Sequence, residues 1–461
     1  MFALPGITLL VVFVLVRPQE FVPFLQRLPF LHLFTILAVI GYVIDVRLRR
    51  LQPIATNTLP WVVAFLIWAI ICTAVIAPDT LVGLILFLIV LFCLYGVVAH
   101  GIQRFRTFQL VAGTLTITTV FLAFVLAHQG FAPKQCVGGV DTDGAIDGAP
   151  DGRECSANED CKGGNSDDPE MEFRCEHIGL FGTYSVDERV RYRGELSDPN
   201  EVALAVCAGG LATLIGFSML RRTTGGRRIV LAVCAALCVL AVFMTQSRGG
   251  LLAMVLVPGV YAIKKWGWAV IAPGGVLAAV VLSLGGRSGE NADASTQQRY
   301  EAWSVGLNLW HHSPVFGVGA RQFAQHHFLT AHNSFVLMLA ELGIIGLFLF
   351  TAIIYLCMKT LIVGLQAIEG LPGAATARIW GMALLAAMAG IIFQINTLSF
   401  SYHMVLWLFF GLCGAWYSAV RHHKPDLEIK LTFIDVLIIA FICIVYATIV
   451  LPVFLTAKGE M

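Results

Sequence analysis

The sequence predicts an all-α fold, a polytopic membrane bundle of about 12–13 transmembrane helices with two long connectors on one face. Two observations carry this expectation. Apolar residues make up 58% of the 461-residue chain and charged residues only 13%, with a mean hydropathy of +0.81. A soluble domain averages about 45–50% apolar and about 25% charged. The apolar residues also gather into thirteen stretches, most of them near the ~20 residues that a helix needs to cross hydrocarbon. These run over about 2–16, 30–45, 59–77, 81–98, 107–127, 199–220, 228–245, 249–263, 267–284, 334–357, 377–395, 402–420 and 433–454. Backbone polar groups in lipid must be satisfied within each span, so the spans are expected to be helices. The first is short, but it lacks a basic leader, and Arg17-Pro18-Gln19-Glu20 is not a small-residue cleavage site. It is therefore read as a span. The net charge of +1, with no basic run interleaved with aromatics, argues against nucleic acid as a partner.

The charges set the organisation. Basic residues recur in alternate short connectors: Arg47/Arg49/Arg50, Arg104/Arg106, Arg221/Arg222/Arg227/Arg228, Lys264/Lys265, Lys359/Arg378 and Arg421/Lys424/Lys430. The positive-inside bias puts that face, and the N-terminus, in the cytoplasm. The chain then divides into N-terminal spans at 1–127, an outer connector at 128–198, spans at 199–284, a second outer connector at 285–333 and C-terminal spans at 334–461. The basic residues of the two long connectors are not explained by topology. Long connectors between spans are commonly functional or disordered.

The first connector has two unlike halves. Asp141-Thr142-Asp143-Gly144, Asp147-Gly148 and Asp151-Gly152 alternate carboxylates with turn residues. Calcium takes oxygen ligands of this kind. An EF-hand would need Glu at its twelfth position, where Gly152 stands, and a flexible acidic loop is the preferred reading. Cys136, Cys155, Cys161 and Cys175 are the four of twelve cysteines outside the spans. In an oxidising compartment they predict two disulfides of open pairing. A zinc site is the rival reading, and no CxxC pair supports it. The second half runs Arg189-Val190-Arg191-Tyr192-Arg193 to Asp198-Pro199-Asn200. Asp198 or Ser197 caps the next helix and Pro199 opens it. In an extended segment Arg189, Arg191 and Arg193 share a face. Three guanidinium groups beside a helix N-terminus suit an anion, above all a phosphate.

Ser247-Arg248-Gly249-Gly250 opens a later span at the same face. Arg248 is either a snorkelling anchor or a ligand-facing cation whose Gly pair permits close approach. In the second connector, Trp303, Leu307 and Trp310 give one apolar helical face, expected to lie at the membrane interface. Pro314, Gly317 and Gly319 predict a turn, and without a preceding strand they are no dinucleotide fingerprint. His326, His327 and His332 lack the carboxylate pattern of a metal site. No metal and no cofactor is therefore expected. A neutral His332 at a span mouth can act as a general base.

These motifs have a collective likeness. Arg191-x-x-Gly194, Pro199-Asn200, Ser247-Arg248-Gly249-Gly250, Arg299-x-x-x-Trp303, Pro314-x-x-Gly317-x-Gly319, His332-Asn333-Ser334-Phe335 and Glu341-x-Gly343 occur in that order. Across residues 190–350 the chain resembles the O-antigen ligase and polymerase superfamily. The resemblance implies a bacterial inner-membrane glycosyltransferase with its active site facing the periplasm. It implies a glycan donor on undecaprenyl diphosphate and an acceptor hydroxyl on lipid A-core or on another glycan, as in lipopolysaccharide or exopolysaccharide biosynthesis. It implies metal-independent, inverting chemistry, with Arg191, Arg248 and Arg299 on the diphosphate and His332 as base. Arg193, Asn200, Arg321 and Asn333 are further candidates, while Arg189, Arg193 and Arg321 have no family counterpart. The Cys- and Asp-rich insert at 136–175 departs from the family pattern. A flippase for the same lipid-linked glycan is the alternative, although no half-repeat supports it. An intramembrane protease is disfavoured by the lack of HExxH and Gly-x-Ser-x-Gly.

Overall fold

The structure is a computed structural model, and it describes residues 1–22, 24–25, 28–138, 150–162, 173–220, 224–286 and 290–460. Helices occupy every apolar stretch. In order they are α1 (Ala3–Leu15), α2 (Phe30–Arg47), α3 (Leu59–Ile76), α4 (Leu81–Gly101) and α5 (Phe105–Phe131). Next come α6 (Pro199–Ala205) and α7 (Ala212–Ser218), joined through a π-turn at Val206–Leu211. Then α8 (Gly225–Met244), α9 (Arg248–Trp266), α10 (Ile271–Gly285) and α11 (Glu290–His312) follow. The chain ends with α12 (Ser334–Ala367), α13 (Ala375–Gln394), α14 (Met404–Val420), α15 (Phe433–Val445) and α16 (Leu451–Lys458). A second π-turn, Tyr446–Val450, links the last two.

Among the described residues, ten helical segments are long and apolar enough to cross a membrane, and Ala3–Leu15 and Met404–Val420 are shorter apolar helices. The segment Arg248–Gly285 is a hairpin: α10 folds back along α9, so that Gly285 returns beside Leu251. The outside of the bundle is studded with exposed Val82, Ile117, Ile229, Val276 and Phe433. An apolar girdle of this extent is costly in water and natural in lipid. The interior is closed by α14, buried over its whole length, with Trp407 and Trp416 donating their indole N–H groups to Ser401 and Ala377 carbonyls.

Charged connectors fall together at one end. Gln103 donates to the Gln52 carbonyl at 2.6 Å, Phe105 packs on His423, and Lys359 bonds both Asp435 and the Lys430 carbonyl. Arg221 and Arg222 lie outside the described residues. The two long connectors share the opposite end, where Tyr192 donates to the Val16 carbonyl and Arg17 pairs with Glu195.

The first connector carries the sheet β2-β1-β3, formed by β1 (Lys134–Gly138), β2 (Pro150–Glu154) and β3 (Phe173–His177). Disulfides Cys136–Cys161 and Cys155–Cys175 staple it. Three of these cysteines also lie close enough to share a metal ion, but sulfurs engaged in disulfides are not thiolate ligands. Residues 141–148, the proposed calcium segment, lie outside the described residues, and Asp151 is paired with Arg153.

Candidate active site

The site is built where α6, α9, α11 and α12 begin or end at the long-connector face. Asp198 caps α6, accepting from the Asn200 N–H at 2.7 Å. Ser247 caps α9, accepting from the Gly250 N–H at 3.0 Å. A Cβ on Gly250 would stand 2.5 Å from that of Ala203. The Gly pair therefore serves helix contact as well as the site: Gly250 lets α9 approach α6, and Gly249 lines a cavity.

That cavity, of about 180 Å³, draws in Arg189, Arg248 and Arg299 with Asn200, Gln246, Thr296 and Thr397. The three cations come from three separate elements. Arg189 is oriented by the Thr245 carbonyl, 3.0 Å from its Nε, and by Asn200 Oδ1 at 3.2 Å. Asn200 is held in turn by Gln394, which donates to its carbonyl at 2.6 Å. Three guanidinium groups at one small cavity form a ready-made site for a multiply charged anion.

His332 stands beside this cluster. It is half-buried and adopts a left-handed backbone, φ 44°, that non-glycine residues seldom take. Its N–H donates to Ser399 Oγ at 2.9 Å. Burial, and next the charge of Arg299, push its imidazole down from the usual 6.5 to about 4, partly opposed by Asp198. The ring is thus neutral at physiological pH.

Other predicted residues take different places. Arg191 lies on the same half-buried side of its segment as Arg189 and Arg193, with Val190 and Tyr192 buried between them, but the three heads diverge. Arg191 stacks on the Tyr184 ring at 4.6 Å and donates to the Tyr184 carbonyl. Arg193 donates to the Glu20 and Phe181 carbonyls. Asn333 caps α12, accepting from the Phe335 and Val336 N–H groups, while Ser334 stitches that helix start to Leu398 and Phe400. Arg321, with φ 61°, lies over Phe87 at 4.4 Å.

The glycine motifs are a joint. Helix α12 breaks at Gly343, with φ 64° and ψ −167°. Into the break docks the 314–319 turn: Val318 and Gly319 donate to the Ala340 and Glu341 carbonyls, and Ile344 donates to the Pro314 carbonyl. A Cβ at Gly343 would lie 2.1 Å from the Val315 oxygen. Helix α11 seats its apolar face on α12 and α16, with Leu307 buried and Trp303 donating to the Ala331 carbonyl next to His332.

A second cavity, about 450 Å³, adjoins the first and was not foreseen. It is lined by Arg17, Glu195, Glu201, Arg321, Glu341 and Tyr402, among others. Its residues come from segments far apart in the chain, and no local pattern links them.

Fold and site together define a multi-pass membrane protein with a cationic cavity and a neutral histidine at one end of its bundle. Residues 233–351 match the family model for O-antigen ligase. The match covers about a quarter of the chain and includes Arg248, Arg299 and His332. No curated protein is detectably similar to the chain.

Proposed function

We propose that the protein is a bacterial inner-membrane glycosyltransferase that moves a glycan from undecaprenyl diphosphate to an acceptor hydroxyl, with its N-terminus cytoplasmic and its site facing the periplasm. The observation that carries this reading is the convergence of Arg189, Arg248 and Arg299 on one cavity beside His332.

A leaving diphosphate gains negative charge as the glycosidic bond breaks. Fixed guanidinium groups meet that charge without a metal ion, and stabilisation of this kind is usually the largest catalytic term. The acceptor oxygen bonds to the anomeric carbon, the carbon–oxygen bond to the diphosphate breaks, and the hydroxyl proton passes to His332. Attack from the face opposite the leaving group inverts the sugar. A base held down to about 4 by burial and by the charge of Arg299 is weak. A bound diphosphate offsets that charge, so the donor itself raises the base's affinity for the proton.

Surface glycan profiles test the reading. Arg248→Ala, Arg299→Ala and His332→Ala are each expected to abolish mature surface glycan while the protein remains in the membrane. Wild-type profiles in all three would overturn it. The deletion strain separates the two activities of the family. Single repeats on the lipid carrier indicate a polymerase, and full-length chains stranded there indicate a ligase. Transbilayer movement of the carrier without transfer would favour a flippase.

A further inference from the structure

We infer that the disulfide-stapled sheet is a glycan-reading element: with the ends of α8 and α10 it walls a groove for sugar residues of the substrate, next to the arginine cavity. This inference rests on the transferase reading above. The groove is a third cavity, of about 610 Å³, lined by Lys134 of β1, His177 of β3, Glu188, Phe243 and Gln246, with the end of α10. Its size falls in the ~300–1,000 Å³ range of small-ligand sites. A seam separates it from the arginines. Val190 donates to the Met244 carbonyl at 3.2 Å, and Arg189 donates to the Thr245 carbonyl at 3.0 Å. These bonds lace the 188–190 segment to the end of α8. Glu188 falls on one side of the lacing and Arg189 on the other, while Gln246 lines both cavities. Gln246 is held there in a left-handed backbone, φ 49°, that non-glycine residues seldom take. A sugar attached to a diphosphate on the arginines would lie at this seam, with its neighbours in the groove.

The lining suits hydroxyl groups. Lys134 bonds Glu188 at 2.5 Å, and that bond and its charge hold the Glu188 carboxylate below its usual range. Both groups are therefore ionised, and their charges cancel. His177 Nδ1 lies 2.6 Å from the Ala132 carbonyl. A carbonyl only accepts, so Nδ1 carries the proton and Nε2 is left for a ligand. Among the described residues, His177 Nε2 and the Gln246 amide make no hydrogen bond. A hydrocarbon chain in the groove would strip water from these groups and leave them unpaired, at a cost. Sugar hydroxyls both donate and accept, and so pair them. The Phe243 ring is half-buried, and its negative face suits the C–H side of a sugar ring. Disulfides Cys136–Cys161 and Cys155–Cys175 fix the sheet that carries Lys134 and His177, so the wall is organised before a ligand arrives.

The test puts p-benzoylphenylalanine in place of Phe243 in the full-length protein, in bacterial cells that make the surface glycan. Irradiation joins the benzophenone to a C–H bond of whatever fills the groove, and mass spectrometry of the adduct identifies it. A saccharide adduct is expected. Gln246→Ala should lower its yield about fivefold, the worth of one hydrogen bond, at unchanged protein abundance. Leu284→Trp, at the exposed rim of the groove, should block it by filling the space. A phospholipid adduct, no adduct, or a yield indifferent to both variants would overturn the inference. Arg299→Ala distinguishes the sources of the sugar: a donor's adduct is lost with its diphosphate seat, and an acceptor's adduct is retained. Surface glycan judges the transferase reading separately. No saccharide adduct, with glycan abolished in Arg248→Ala, would sink the groove alone. A saccharide adduct, with wild-type glycan in Arg248→Ala, Arg299→Ala and His332→Ala, would sink the transferase reading and leave the groove as a sugar site.

Discussion

The imidazole of His332 should report the charge in the arginine cavity. Its pKa is held at about 4 by burial first and Arg299 second. A cation beside an imidazole disfavours the imidazolium, so removing that cation must raise the pKa. A neighbouring charge within a few ångströms is worth about one unit or more. Because burial is the larger cause, Arg299→Gln is expected to move His332 from about 4 to about 5. Added pyrophosphate should move the wild type in the same direction. Diethylpyrocarbonate acylates only the neutral ring, so its rate of modification at His332, followed against pH by peptide mass spectrometry, reads the pKa without turnover. The same sign governs catalysis. The acid limb of kcat/KM reports the free enzyme and should fall near pH 4, whereas the limb of kcat reports the complex and should lie higher. A midpoint that stays put or falls in Arg299→Gln, together with coincident limbs, would refute both the electrostatic coupling and the placement of the diphosphate.

Three further outcomes follow from the geometry. Arg189→Ala should cost more donor affinity than Arg191→Ala, by about 1.5–3 kcal/mol for a lost charge-assisted bond, because Arg189 lines the arginine cavity and Arg191 is stacked on Tyr184; titration with undecaprenyl diphosphate decides between them. Gly343→Ala forces a Cβ onto the Val315 oxygen at a glycine-only backbone angle, so it should cost about 3 kcal/mol or more and lower the melting temperature of the detergent-solubilised protein. Reduction should open the stapled sheet, since each disulfide contributes about 2–4 kcal/mol; limited proteolysis should then cut within residues 134–177 while the helices persist.

The spans were legible because each must hide its own backbone in lipid, which leaves a long apolar run in the chain. Trp303, Leu307 and Trp310 made the apolar face of α11 legible, because such a face must find cover, but not its seat: the expected cover was the membrane interface, and the face packs on α12 and α16. The two π-turns left no such trace, since one extra backbone residue in a helix changes no composition. The arginines of the extended segment were legible as a group but not individually. Alternation puts Arg189, Arg191 and Arg193 on one side of an extended segment, and it does so in the structure. A guanidinium then travels several bonds from its Cα, and whether it meets Tyr184, Phe181 or Asn200 depends on elements remote in sequence. Motif matching favoured Arg191, and geometry puts Arg189 at the cavity. The second cavity was not legible as a site: Arg321 stood out singly, but Arg17, Glu201 and Tyr402 join it only after the helices have packed.

The conspicuous motifs divide by what a substitution would disturb. Gly317, Gly343 and Asn333 hold the α12 break and its start: the glycines carry no side chain, and the Asn333 amide oxygen is taken up by the cap. Their role is precision. Arg248 and Arg299 sit on the first turn of α9 and along α11, elements that the Gly250–Ala203 contact and the Trp303–Ala331 bond fix against α6 and the His332 loop. A transferase that meets its leaving group with side chains has to immobilise those side chains by other means, because a displacement of about 1 Å can cost about a hundredfold in rate. On the proposed reading, the rigid glycine joint and the caps are therefore as necessary as the cations. Damage to either class should be separable: a joint variant loses stability and activity together, and a cation variant loses activity with its melting temperature unchanged.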